Sequence, residues 1–316
     1  MPRHWTEKHP DPVDTGIVQE YGTGGGYIYD LVAPTVRVPS QGFQYAYREF
    51  GPHIAQDVDT RMAPDGPANR VRSPGVTFLD GVTHRHGLKE SIGDNEMEES
   101  PNPAADEASM WEYLMQKLRL GLETELKVGL NAATNQTTLT GALQWNHASA
   151  TIEKSILAAK ALFKLQCGFN ATHIVVPEDC WDVFIMDPTL RGSTKYTHGN
   201  LLDGKGGYSE NTFNLQFVVP GGITNTANSG ATPSISQLWS DDKVYLMYVD
   251  PTVSSSKTAM TAAWFASQHN EVDQRFLARS WRPSEEDMEW TWYQVWEWHK
   301  LIIESALIHR LDDVLA

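Results

Sequence analysis

The chain has two cysteines in 316 residues, too few for the disulfide framework of a small secreted scaffold. The spacing of Cys167 and Cys180 fits no zinc motif, which leaves two reduced structural thiols and synthesis in the cytosol as the expectation. Long apolar runs are also missing. No stretch approaches the roughly 18 apolar residues of a membrane-spanning helix, and the opening MPRHWTEKHPDP lacks the apolar run of a signal peptide. Positive charge is scarce. Lys and Arg number 25 against 40 Asp and Glu, a formal charge of −15. That balance argues against tight nucleic-acid binding, which relies on cationic contacts to phosphate. No internal repeat is visible.

The motifs of common chemistries are missing as well. No GxSxG turn presents a nucleophilic serine. Gly22-Thr23-Gly24-Gly25-Gly26 is followed by Tyr27-Ile28-Tyr29-Asp30, where a phosphate loop needs Lys and then Ser or Thr. The expectation there is an arm that packs on a neighbour through Tyr21, Tyr27 and Tyr29. Lys164 precedes Cys167 by one turn, but a helix C-terminus raises a thiol pKa, and Cys180 has no basic neighbour in sequence. Asp94, Glu96, Glu98 and Glu99 lack the glycine and spacing of a calcium loop.

His84-Arg85-His86 is the fragment most like a metal site, because i and i+2 share one face of a strand. Zinc needs further ligands, and nothing fixes the geometry of the nearby Asp80 and Glu90. A solvated hairpin carrying two histidines is the expectation. A metal-dependent enzyme using His84 and His86 is the alternative from a different class, and metal analysis tests it. No catalytic, cofactor-binding or metal residue is assigned, and no cofactor is expected.

What is present is architecture. Hydrophobic residues make up 41% of the chain and include 11 tryptophans, which excludes a mainly disordered protein. The length supports a large core with two lobes. Asn102 to Leu130 reads as one helix about 40 Å long, with Asn102 as N-cap and Pro103 as first residue. Trp111, Met115, Leu118, Leu122, Leu126 and Leu130 draw its apolar stripe. Glu112, Gln116, Arg119, Glu123 and Lys127 take another face, with Glu123 and Lys127 spaced for an ion pair. Gly121 weakens the helix interior.

Before this helix, Val36 to Ser91 lacks helical periodicity. Phe43, Tyr45 and Tyr47 alternate in one strand, Val76 to Val82 returns as a second, and Arg61 to Pro74 is the loop tip. Such a hairpin is marginal alone in water and needs a surface to lie on. After the helix, Thr151 to Leu165 is a second amphipathic helix with Gly168 at its C-terminal cap. Thr172 to Val176 is a strand, and Pro177-Glu178-Asp179 opens a helix that stops near Asp187-Pro188. Asn214 to Val219, Lys243 to Val249 and Met260 to Phe265 add apolar strands, and Arg191 to Gly207 is an exposed loop. Met288 to Ile303 is one long strand with Trp290, Trp292, Trp296 and Trp298 on one face. It is the best partner for the helix stripe, with the tryptophans forming a core or subunit-contact face.

This order of parts resembles the major capsid proteins of tailed phages, with the Hong Kong 97-like fold. The phrases THIVVPEDCWDVF (Thr172 to Phe184), DKVYLMYVDP and HKLIIESALIHRLDDVLA add to the likeness. The resemblance covers essentially the whole chain and implies an α+β fold: an N-terminal arm (1–36), an extended β-hairpin loop (37–92), a peripheral domain (93–150 and 283–316) with spine helix 102–130, and an axial α/β domain (151–282). It implies a non-enzymatic shell subunit, made in the host bacterial cytoplasm and located in the virion. Pentamers and hexamers would form an icosahedral head around double-stranded DNA, without specific DNA binding and without a membrane. The implied partners are other copies of the chain, a scaffolding protein, a portal and a decoration protein. An encapsulin-like compartment, which holds a cargo enzyme, is the alternative within the same architecture.

Overall fold

The computed structural model describes residues 26–48, 61, 76–190, 212–227, 232–250, 262–267, 275–282 and 290–316. In chain order the helices and strands are α1 (Tyr29–Val32), β1 (Thr35–Val38), β2 (Gly42–Arg48), β3 (Val76–Val82), β4 (His84–Gly93), α2 (Asp94–Glu99) and α3 (Pro103–Asn131). Then follow β5 (Gln136–Thr138), α4 (Ile152–Cys167), β6 (His173–Val175), α5 (Glu178–Met186), β7 (Gln216–Val218), β8 (Ile223–Asn225) and β9 (Ile235–Gln237). The chain closes with β10 (Val244–Met247), β11 (Ala262–Ser267), β12 (Leu277–Trp281), β13 (Trp290–Ile303) and β14 (Ile308–Asp312). Residues 1–25, most of the expected loop tip 61–74, and the expected loop 191–207 lie outside the described residues. No helix among the described residues is long and apolar enough to cross a membrane.

The long helix α3 forms where the 3.6-residue spacing places it. All six residues of the expected stripe, Trp111 to Leu130, are buried. Pro103 occupies the first turn, while Asn102 stands at the N-cap position without a side-chain capping bond. The stripe packs on β13, and the Trp111 ring meets Tyr293 edge-on at 5.1 Å. The residues of β13 that face the helix are the odd-numbered set: Tyr293, Val295, Glu297 and His299 are all buried. The tryptophan set lies on the other face, and Trp290 remains 43% exposed. Strand β13 thus partners the helix as expected, but through the face opposite the tryptophans. Those rings instead accept cations: Lys89 lies over Trp292 at 4.6 Å and Arg85 over Trp296 at 5.1 Å.

Strand β13 is also the centre of a five-stranded sheet. Its 14 residues are long enough to pair with two strands end to end on one edge, β12 at 292–296 and β11 at 299–303. Strand β4 takes the other edge over ten residues, and β1 extends the sheet beyond β11. Gly87 permits the close approach of β4, since a Cβ there would sit 2.7 Å from the Trp296 Cβ. Strands β2 and β3 form a separate antiparallel pair. Its root is fixed where Phe43 stacks on Phe265 at 4.6 Å.

The second five-stranded sheet runs β5-β14-β10-β6-β7. Its central strands β10 and β14 are buried on both faces, which is why Val244 to Met247 reads as a continuous apolar run. Val244 and Leu246 face α4 and α5, where Ile156, Phe163, Trp181 and Phe184 complete one core. Tyr245 and Met247 face the core of α3. The sheets cut across the division expected at residue 283. Strand β14 lies beside β10, while β11 and β12 lie beside β13. Period-2 alternation identifies a strand but carries no information about its partner, so this mixing was not visible in sequence.

Candidate functional site

Three features stand out: the hairpin surface, the docking of residues 26–36, and a histidine cluster. The β2–β3 hairpin has little core beyond its root. Phe78 is 63% exposed and Val82 55%, and Leu79 is exposed on the same strand. Further exposed apolar side chains include Leu165 on α4 and Ile223 and Ile235 on the β8–β9 pair. Apolar groups on thin projections gain free energy only when another surface covers them.

The chain from Gly26 to Val36 was expected to be part of an arm reaching a neighbour. It instead docks on its own subunit. Ile28, Tyr29, Val32 and Ala33 are buried in the core of α3. The cause is Glu123, expected on a solvated face in a pair with Lys127. Glu123 is fully buried. Its Oε2 accepts the backbone N–H groups of Ile28 (3.0 Å) and Tyr29 (2.9 Å), and Oε1 accepts the Trp239 indole N–H (2.8 Å). Two of the N–H groups that open α1 are thereby satisfied. Burial pushes the Glu123 pKa up to about 7, against the pull of these three donors. Lys127 turns to Asp241 at 3.0 Å. A periodicity argument fails here because the helix is covered on more than one face.

Arg275 completes the docking. Its Nε meets buried Glu297 at 2.7 Å, and its Nη1 meets Asp30 at 2.7 Å and Thr35 Oγ1 at 2.9 Å. Its guanidinium also lies over Trp264 at 5.3 Å. Nothing in sequence marked Arg275, whose partners lie 22 and 245 positions away.

Of the two expected histidines, His84 and His86, only His86 joins a cluster. Its ring stacks on His299 at 4.0 Å and 20°. His299 Nε2 lies 3.0 Å from Glu125 Oε2, and its Nδ1 lies 3.2 Å from Glu297 Oε1. Burial disfavours a charged His299 ring, but the bond to Glu125 and the contact with Glu297 outweigh it and raise its pKa. Burial, then His299, lowers that of His86. Asp80 is drawn off to Gln44 on the hairpin at 2.9 Å, and Glu90 is exposed on β4. In the acidic run 94–99, Asp94 pairs with Arg282 at 3.1 Å and Glu96 caps the Gly93 N–H. Cys167 and Cys180 are free and buried. Burial pushes the Cys180 thiol up to about 12, which is inert at neutral pH.

The spine-like helix against a sheet centred on β13, the projecting hairpin and the second α/β layer define the Hong Kong 97-like fold of tailed-phage major capsid proteins. Among solved structures, the chain is similar to a phage-related protein from Bordetella bronchiseptica RB50, with TM-score 0.68 and 15% identity over 98% of this chain and 99% of that one. It is similar to the mature capsid subunit of bacteriophage PhiM1, with TM-score 0.60 and 11% identity over 99% and 92%. It is also similar to the SrpI encapsulin of Synechococcus elongatus PCC 7942, with TM-score 0.52 and 11% identity over 90% and 87%. No family model and no curated protein matches the sequence.

Proposed function

We propose that this chain is the major capsid protein of a tailed phage, a structural and non-enzymatic subunit that assembles into pentamers and hexamers of an icosahedral head. The observation that carries the reading is the whole-length match to the PhiM1 mature capsid subunit. The β2–β3 hairpin supports it, because exposed Phe78 and Val82 on a two-stranded projection need a neighbour's surface. In this reading residues 37–92 are the extended loop and α3 is the spine of the peripheral domain. The sheet β5-β14-β10-β6-β7, with α4 and α5, forms most of the axial domain. The charge of −15 suits an inner wall that repels packaged DNA and does not bind it. A scaffolding protein, a portal and a decoration protein are the partners of such a subunit.

The test is assembly. Full-length chain, expressed alone and with a candidate scaffolding protein, is viewed by negative-stain electron microscopy. Closed shells or ring-shaped capsomers support the reading. The encapsulin fold is shared, so the contents separate the two: nucleic acid in particles from infected cells marks a phage head, and a single cargo enzyme marks a compartment.

A further inference from the structure

We infer that His86, Glu125 and His299 form a binding site for a divalent first-row transition ion such as zinc, which ties β4 to the long helix and to β13. The three side chains come from β4, α3 and β13, and their ligand atoms all lie within 4.8 Å of one another. Two imidazole nitrogens and a carboxylate oxygen are a donor set that suits zinc. At zinc's bond lengths and tetrahedral angle, ligand atoms sit about 3.3 Å apart. Glu125 Oε2 and His299 Nε2 are already 3.0 Å apart. The remaining adjustment falls on His86, which is exposed and would turn from its stacked position on His299.

Behind the cluster, the other nitrogen of His299 faces Glu297 Oε1 at 3.2 Å. Glu297 is fully buried and oriented by Arg275 at 2.7 Å. A carboxylate behind a ligating histidine fixes the tautomer that leaves the outer nitrogen as a lone-pair donor.

This arrangement differs from a site built on His84 and His86. His84 pairs with His299 across the strands, yet it is not among the converging donors. The inference rests on the folded subunit and not on assembly, so its failure would leave the capsid reading untouched.

The test uses the full-length chain purified without a metal-affinity tag and stripped with EDTA. Zinc chloride is titrated by calorimetry, and metal content is measured after gel filtration. The expected result is one zinc per chain, with a melting temperature that rises on zinc addition. His86→Gln and Glu125→Gln should each weaken binding by roughly 100-fold. Both alter partly or fully exposed side chains, so circular dichroism should show the fold retained. His84→Gln should bind as the parent does. Parent binding no tighter than that of His86→Gln, or binding lost in His84→Gln alone, would overturn the inference.

Discussion

Glu123 on α3 accepts the indole N–H of Trp239 at 2.8 Å, joining the long helix to a residue 116 positions later. The same carboxylate holds the amides of Ile28 and Tyr29. One side chain therefore fixes the entry of the N-terminal segment and the approach of the second sheet. Glu123→Ala strands three N–H donors in an apolar core. The expected cost is about 3 kcal/mol, read from the urea midpoint. Faster hydrogen exchange at Ile28 and Tyr29 would localise the loss to the docked segment.

The same residue sets a pH dependence. Its pKa rises from the ordinary 4.5 to about 7 because the buried site disfavours the charge, with like-charge repulsion from Asp30 adding to the effect. A raised folded-state value means the contribution is full below pH 4.5 and is lost as pH climbs through about 7. Across that window the docked state should weaken by up to about 3 kcal/mol. Amide exchange at Ile28 and Tyr29, corrected for intrinsic rate, should accelerate between pH 5 and about 8 in the parent. Glu123→Gln should abolish that dependence.

Two glycines of α3 should respond differently to alanine. A Cβ at Gly121 meets open space, and Gly121→Ala should stabilise the chain by up to about 1 kcal/mol. A Cβ at Gly129 runs into the Ile303 side chain where the helix crosses β13. The clashing atom is the flexible end of Ile303, so Gly129→Ala should gain less than Gly121→Ala, and adding Ile303→Val should restore the difference. Thermal melts of the three variants check the pattern.

Arg275 neutralises Glu297, which is otherwise sealed from solvent. Arg275→Leu should cost about 3–5 kcal/mol by leaving that charge unpaired. The double change with Glu297→Leu should recover much of the loss, which a double-mutant cycle measures.

Much of the fold was legible because it obeys local rules. The stripe of α3, the hairpin strands, α4 with Gly168 in the left-handed conformation at its cap, and the long β13 all follow from spacing and turn chemistry. The illegible parts depend on partners distant in sequence. The alternation of β13 shows two faces, but not that Tyr293 and Val295 take the helix while the tryptophans take the opposite face. Strand β4 reads as a polar segment because its residues are mostly exposed, although its backbone pairs with β13 over ten residues. The histidine cluster shares the same cause: His84 and His86 are two positions apart in sequence, but the donors that converge on His86 come from α3 and β13. Glu123 and Arg275 carry no local signal, because a buried charge looks in sequence like any surface charge.

The central claim is that this chain builds a closed shell. Electron microscopy of the full-length protein, with light scattering in parallel, tests it most directly. The expected result is icosahedral particles or ring-shaped capsomers, alone or with the scaffolding protein. A clean monomer that stays monomeric beside that protein would contradict the account.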